Sequence, residues 1–336
     1  MIVWMESCQR LPSSALMQQR YYMSGLAVMW YPTGGRNGGP CFGPATAQVD
    51  PWYPVPSGPL FLSGVRVSTI FVTQVICPTY NDVAQVGLFG SGGTLTIKSG
   101  GLYGTTLATA AGVYDGNIRY IAFECLIDPT VGYTRVYLDG VLVDALSLDN
   151  INTQPVGGGY WNGFSLGGNG TYPKMCDLLV ADGTDPSGSG DDLHTIWMDA
   201  RIDYIPVNGQ GYSSQFVGSD EDSVDNYRQV SEVPPDEDVT FVYSDVPAIH
   251  AYTKAPYAVP LSTILGTAVY ARGRKTDAGV EIAKVGLRSG STNLMSPQQP
   301  LPVNYADVYL HVGHDPAGGP FTQSSFDATQ VVVEKA

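Results

Sequence analysis

Histidine is the side chain best suited to acid–base or metal chemistry near neutral pH, and the chain has four: His194, His250, His311 and His314. His311, His314 and Asp315 are close enough in sequence to suggest a metal cluster. However, residues three apart at a strand end point in different directions, and no further set of ligands accompanies them. We therefore expect surface or turn histidines here and no bound metal.

The densest group of carboxylates lies in the run Asp220-Glu221-Asp222-Ser223-Val224-Asp225. It matches a calcium loop only in part, because an EF-hand loop needs Asp-x-Asp-x-Asp-Gly and then Glu at position 12. Here position 5 is Val224 and position 6 is Asp225. A calcium loop and a solvated linker both stay open as interpretations, and we expect the linker.

Motifs for nucleophilic or nucleotide chemistry give no clear signal in the sequence. Ser189 does not lie in the pattern GxSxG, since Ser187 rather than Gly stands two positions before it, and there is no P-loop. The run Gly167-Gly168-Asn169-Gly170 precedes no helical pattern and indicates a turn. Spacing alone selects no carboxylate pair for glycoside cleavage. We expect no enzymatic activity, no catalytic or cofactor-binding residue, and no cofactor.

The cysteines are Cys8, Cys41, Cys77, Cys125 and Cys176, and no two form a CxxC pair. This odd count and wide spacing argue against a zinc site, a redox motif or a fully paired disulfide framework. They favour buried thiols in a protein folded in a reducing cytosol. Inter-subunit disulfides formed in an oxidising exterior are the open alternative.

Composition excludes several classes of protein. Among 336 residues, 17 Lys and Arg face 31 Asp and Glu, so the net charge is −14 and no basic face for nucleic acid is expected. No stretch approaches 18 uncharged apolar residues, so no membrane insertion is expected, and the first residues do not resemble a signal peptide. Hydrophobic residues make up 43% of the chain, which argues against disorder. The 40 Gly and 24 Pro indicate a loop-rich β protein.

Short strands must position any functional residue in this chain. The clearest signal is Asp139-Gly140 between two apolar runs, which predicts a type I′ hairpin. Leu60–Val75 and Arg119–Ile127 are rich in β-branched and aromatic residues, and Gly90–Gly93 predicts a further hairpin turn. Turn signals recur about every 8–12 residues, as in an antiparallel sandwich or barrel. We predict an all-β fold: an antiparallel concanavalin A-like jelly-roll sandwich followed by a smaller C-terminal β-sandwich.

Three regions follow from this pattern. Residues 1–205 are predicted to form the jelly roll, and residues 239–336 the second sandwich. Between them, residues 206–238 are acidic, with Pro234-Pro235 interrupting the run. Apolar residues at Phe216, Val217 and Tyr227 favour an ordered connector over a flexible linker.

Several segments, in a fixed order, resemble laminin-G/concanavalin A-like jelly rolls, and more specifically those of tailed-bacteriophage virion proteins. They are Ile2–Ser7, Arg135–Val143, Phe164–Gly168, Asp177–Gly183, Asp199–Pro206, Tyr212–Asp220, Ser223–Tyr227, Tyr270–Gly279 and Leu287–Ser291. The resemblance covers most of the chain, and Gln9–Pro59 is the part that does not align with it.

The resemblance implies a non-enzymatic virion structural protein, a tail, collar or head-surface component. Its expected partners are other virion proteins and copies of itself, its expected location is the virion, and its assembly would take place in the bacterial cytoplasm. Contact with host surface glycans is compatible with that role. A carbohydrate-binding receptor-recognition module is the alternative function, since fold alone does not decide between them.

Overall fold

The chain divides into two compact units. The first comprises Met1–Asp185 and Asp191–Asp203, and the second comprises Pro186–Gly190 and Tyr204–Ala336. The computed structural model describes residues 2–6, 28–31, 36, 41–44, 46–49, 60–67, 73–81, 83–113, 115, 117–155, 157, 159–167, 174–183, 200–233, 235–257 and 263–336.

In the described part of the first unit, all paired strands are antiparallel and belong to two sheets. The strands are β1 Ile2–Glu6, β2 Val28–Tyr31, β3 Cys41–Pro44, β4 Thr46–Val49, β5 Leu60–Val67, β6 Thr73–Tyr80, β7 Val83–Ala84, β8 Val86–Ser91, β9 Thr94–Ser99, β10 Thr105–Ala110, β11 Arg119–Leu126, β12 Gly132–Leu138, β13 Val141–Leu142, β14 Leu148–Ile151, β15 Gly163–Gly167 and β16 Met175–Ala181. One sheet has the order β13-β12-β11-β5-β16-β3-β2, with β1 beside β16 and β14 beside β12. The other has the order β10-β9-β8-β6-β15-β4, with β7 beside β6.

The core of the first unit lies between these two sheets. On β9 the side chains of Leu95 and Ile97 are buried while those of Thr94, Thr96 and Lys98 are partly exposed, the alternation of a sheet with one wet face. Trp161 is fully buried, meets the Phe61 ring edge-on at 4.8 Å, and donates its Nε1–H to the Leu60 carbonyl at 2.8 Å. The sheets therefore pack as a sandwich.

Two predicted hairpins are confirmed, and the run Leu60–Val75 contributes to two strands in different sheets. Asp139 and Gly140 have φ values of 48° and 81° between β12 and β13, the left-handed pair that a type I′ turn requires. The second hairpin joins β8 to β9, but its turn is shorter than Gly90–Gly93, because β8 continues to Ser91. Leu60–Val75 is shared between β5 of one sheet and β6 of the other.

The second unit is also built from antiparallel strands in its described part. They are β17 Val207–Ser214, β18 Val217–Gly218, β19 Val242–Tyr243, β20 Ala248–Lys254, β21 Thr267–Gly273, β22 Glu281–Ser289, β23 Thr292–Met295, β24 Gln299–Leu301, β25 Ala306–Val312 and β26 Gln330–Lys335, with a short helix α1, Gln323–Asp327. One sheet has the order β17-β20-β26-β22-β23, with β24 beside β22. The pairs β18-β19 and β21-β25 are separate two-stranded ribbons.

A smaller core holds the second unit together. Val285 and Leu287 of β22 pack with Val269 of β21, Val308 of β25 and Phe326 of α1. The larger sheet is thus covered by a ribbon and one helical turn. With the first unit, this makes the described chain nearly all β, as predicted.

Residues 206–238, predicted as a connector between domains, lie within the second unit. β17 pairs with β20 along this segment, and β18 pairs with β19. The 3₁₀ turn Asn226–Gln229 follows, with Asn226 fully buried. The acidic segment thus supplies strands and buried side chains to the second unit.

Candidate functional site

Three loops meet at one end of the first sandwich. The last residue of β6 is Tyr80, and the turn after it carries Asn81. The loop from β9 to β10 carries Tyr103, and the segment before β15 carries Tyr160 and Asn162. We call these five residues the tyrosine–asparagine patch. The patch brings together positions as far apart in the sequence as Tyr80 and Asn162.

Reciprocal hydrogen bonds fix the two asparagines of the patch. The Asn81 N–H donates to Asn162 Oδ1 at 2.9 Å, and Asn162 Nδ2 donates to Asn81 Oδ1 at 2.9 Å. The Asn162 N–H also donates to the Thr79 carbonyl at 2.9 Å. Asn81 has a left-handed φ of 46°, a conformation that Asn tolerates better than most residues. Asn81 is exposed, and its Nδ2 makes no hydrogen bond with another described residue, so it can donate to a ligand.

The loop that carries Tyr103 is held against the end of the sheet. The Gly100 N–H donates to the Gln85 carbonyl at 2.9 Å, and Lys98 Nζ donates to the Leu102 carbonyl at 2.8 Å. The loop closes with a 3.0 Å hydrogen bond from the Gly104 N–H to the Gly101 carbonyl. Although its backbone is fixed in this way, the Tyr103 side chain is 86% exposed. Ordering this loop on binding should therefore cost little conformational entropy.

Gln85 links this loop to the third segment. Its carbonyl accepts from Gly100, and its Nε2 lies 3.5 Å from the Tyr160 carbonyl. The Tyr160 side chain is 41% exposed, and the backbone at Gly159 packs against the Tyr80 ring. Gln85 thus links the loop of Tyr103 to the segment of Tyr160, and Gly159 links that segment to Tyr80.

The chemistry of the patch is aromatic and neutral. An exposed tyrosine offers a flat apolar face and a hydroxyl, and an amide offers both donors and acceptors. A pyranose sugar has complementary groups, apolar C–H faces and a ring of hydroxyls. The patch contains only tyrosines and asparagines and no acidic or basic residue, so it suits an uncharged or weakly charged ligand.

His250 is a core residue of the second unit. It is fully buried, stacks on the Tyr252 ring at 4.6 Å, and lies 5.6 Å from the Phe216 ring. Its Nδ1 accepts the Phe216 N–H at 3.2 Å, and its Nε2 lies 3.2 Å from the side-chain amide of Gln210. Burial lowers the pKa of His250 to about 4, so the ring is neutral at pH 7.

His311 and His314 do not lie on the same element of the second unit. His311 lies on β25, its Nε2 3.2 Å from the Tyr270 hydroxyl, whereas His314 lies beyond the strand. Asp315 is buried, and burial alone would raise its pKa, but hydrogen bonds from Ser289, Ser325 and the Ala317 N–H lower it on balance. Within the described chain, these and other His, Cys, Asp and Glu side chains form no metal-binding group of three or more. His194 lies outside the described residues.

The described cysteines are buried thiols: Cys41, Cys77, Cys125 and Cys176. Burial raises the pKa of Cys41 to about 11 and that of Cys77 to about 12, and it also raises the pKa of Cys125. Such thiols are poor nucleophiles and poor metal ligands, because the reactive form is the thiolate. Cys8 lies outside the described residues.

No protein-family model matches the chain, and no curated protein matches it. Solved structures that match include domain 4 of AbnA, an extracellular arabinanase from Geobacillus stearothermophilus in complex with arabinotriose, at 13% identity and a TM-score of 0.34, covering 53% of this chain and 90% of that one. A second is a receptor binding domain at 9% identity and a TM-score of 0.30, covering 85% and 76%. A third is Trypanosoma rangeli sialidase at 11% identity and a TM-score of 0.28, covering 49% and 30%. Similarity at these TM-scores identifies neither a family nor a function.

In the part of the chain that the structure describes, no helix has the length and apolar character needed to cross a membrane.

The tyrosine–asparagine patch could not be predicted from the sequence. The only available signal was the 21 tyrosines, and a residue count does not tell which of them stand exposed on fixed loops.

Proposed function

We propose that this chain is a non-enzymatic bacteriophage virion protein that binds host-surface glycans through the tyrosine–asparagine patch of its first unit. The observation that carries the binding part is the Tyr103 side chain, 86% exposed on a loop whose backbone is fixed at both ends. A large exposed aromatic ring loses apolar hydration only when a ligand covers it, and the neighbouring amides supply the polar contacts.

The virion part of the proposal rests on the sequence resemblance. It expects copies of the chain to assemble with one another and with other virion proteins. Cryo-EM and mass spectrometry of purified particles test this part, by locating the protein and counting its copies. A chain that binds glycans but is missing from particles would be an adhesin of another kind, the alternative function.

A glycan array followed by titration calorimetry tests the binding part. Tyr103→Ala should weaken binding of the best array ligand at least tenfold, equivalent to about 1.4 kcal/mol, a typical loss for an aromatic anchor. Tyr103→Phe keeps the ring and should keep most of the affinity.

The matched control is Tyr243→Ala, which removes a tyrosine that is 41% exposed on β19 of the second unit. This variant should bind as the unmodified chain does. Equal weakening by both alanine variants, or no glycan binding by the unmodified chain, would contradict a glycan site at the patch.

A further inference from the structure

The loop between β18 and the 3₁₀ turn Asn226–Gln229 closes on itself. The Gly218 N–H donates to the Asp222 carbonyl at 2.6 Å, and the Glu221 N–H donates back to the Gly218 carbonyl at 2.9 Å. The Asp220 carboxylate accepts from the Asp222 N–H at 3.1 Å and from Gln229 Nε2 at 2.8 Å. Asp220 is thereby held with its Oδ1 directed toward the inside of the loop.

Asn226 is the unusual residue of this loop. It is fully buried, and its Nδ2 donates to the Phe216 carbonyl at 2.8 Å. That bond fixes the orientation of the amide, and Asn226 Oδ1 is left with no hydrogen-bond partner within the described residues. A buried acceptor without a partner is unfavourable and rare in native proteins, so the loop lacks a positively polarised group at this point.

The unpartnered oxygen does not stand alone. A Cβ placed on Gly218 would lie 2.5 Å from Asp220 Oδ1, 2.8 Å from Asn226 Oδ1 and 3.3 Å from the Asp222 carbonyl oxygen. A carboxylate, an amide and a backbone carbonyl therefore converge on one small region, and only glycine leaves it open. These oxygen types are the ligands that Ca²⁺ prefers.

Local charge favours a cation in the same place. Asp220, Glu221 and Asp222 have no ion pair with a basic residue in the described part of the chain, and Asp225 has a long contact of 3.4 Å with the exposed Arg228. A water molecule could donate to Asn226 Oδ1, but it would leave this negative potential uncompensated.

We propose that this loop binds Ca²⁺ through Asp220 Oδ1, Asn226 Oδ1 and the Asp222 carbonyl oxygen, with water in the remaining positions. Ca²⁺ tolerates irregular sites with six to eight oxygens, whereas Mg²⁺ demands a small, near-ideal octahedron. Zn²⁺ prefers nitrogen and sulfur ligands, and the loop offers none. Because only one carboxylate enters directly, we expect a dissociation constant of about 0.1–1 mM, the range of extracellular calcium modules.

The test uses the full chain, freed of metal by chelation, with CaCl₂ and MgCl₂ compared at equal ionic strength. CaCl₂ should raise the melting temperature of the second unit by a few degrees, saturably, and MgCl₂ should not match it. Terbium luminescence excited through tyrosine, and its displacement by Ca²⁺, measures binding without any variant.

Asp220→Asn should weaken Ca²⁺ binding at least tenfold, whereas Asp245→Asn, an exposed acid outside the loop, should leave it unchanged. Binding with equal affinity to both variants would overturn the assigned ligands. Equal stabilisation by both salts, or no displaceable terbium signal from the unmodified chain, would overturn the site itself, even if Asp220→Asn failed to fold. Neither result bears on glycan binding, which is assigned to other residues.

Discussion

Acidification should loosen the second unit through His250, whose ring is buried and whose Nδ1 accepts the Phe216 N–H. The pKa of His250 is lowered by burial from its ordinary value of 6.5 to about 4. Between these two values the unfolded chain binds a proton that the folded chain does not, so stability falls as the pH falls. At pH 5 the loss from this one residue is about 2 kcal/mol, and it levels off at about 3 kcal/mol below pH 4.

Amide hydrogen exchange at pH 7, 6 and 5, corrected for the intrinsic rate, measures this effect in the peptides covering β20 and β26. Their protection should fall about 20-fold between pH 7 and pH 5, beyond any change seen in other peptides, because opening exposes His250 to protonation. All five tryptophans precede residue 204, so tryptophan fluorescence follows the first unit separately and should change little.

His250→Asn keeps an acceptor for the Phe216 N–H but removes the titrating ring. This variant is expected to be less stable at every pH, with the excess pH dependence gone. His311→Asn, the same substitution at a partly exposed histidine of β25, should keep the excess. If His250→Asn retains the full pH dependence, the buried ring is not its cause and the reasoning fails.

Three further predictions concern the first unit. The thiols of Cys41, Cys77 and Cys125 should resist iodoacetamide at pH 8 until the chain unfolds, because burial raises their pKa values; rapid native-state labelling followed by mass spectrometry would contradict this. Trp161→Ala should lower the free energy of unfolding of the first unit by about 3–5 kcal/mol, the usual cost of deleting a buried aromatic side chain, as measured by urea denaturation. Gly104→Ala should weaken glycan binding and lower the melting temperature of the first unit only slightly. The added Cβ would lie 1.8 Å from the Ser99 carbonyl oxygen and displace the Tyr103 loop. Unchanged glycan binding would count against that loop.

The sequence was most informative where structure is local. The Asp139-Gly140 turn is determined by two residues and their neighbours, so the local sequence alone predicts it. The division of Leu60–Val75 between two sheets is not visible in the same way, because β-branched residues favour strands without specifying which sheet a strand joins. The all-β class was therefore predictable, and the pairing of β5 with β11 and β16 was not.

The candidate binding site could not be predicted, because each of its parts is ordinary by itself. Asn81 and Asn162 form a pair only after β6 and β15 become neighbours in one sheet. Tyr103 is singled out by exposure, a property of the folded chain. His250 shows the converse case, since nothing in the sequence distinguishes this buried, neutral ring from the other histidines.

The acidic segment shows why charge density alone does not predict which carboxylates are solvated. Its later carboxylates have partners far along the chain: Glu237 binds the Arg272 guanidinium at 2.7 Å, and Asp238 binds Arg274 at 2.7 Å and the Tyr305 hydroxyl at 2.8 Å. A run of acids is predicted to be solvated when its neighbours contain no bases, but here the bases arrive through the fold. Once these pairs are formed, the uncompensated charge of the segment is concentrated at Asp220–Asp222, beside the buried Asn226 oxygen. The same folding that neutralises one end of the segment thus leaves the other end suited to a cation.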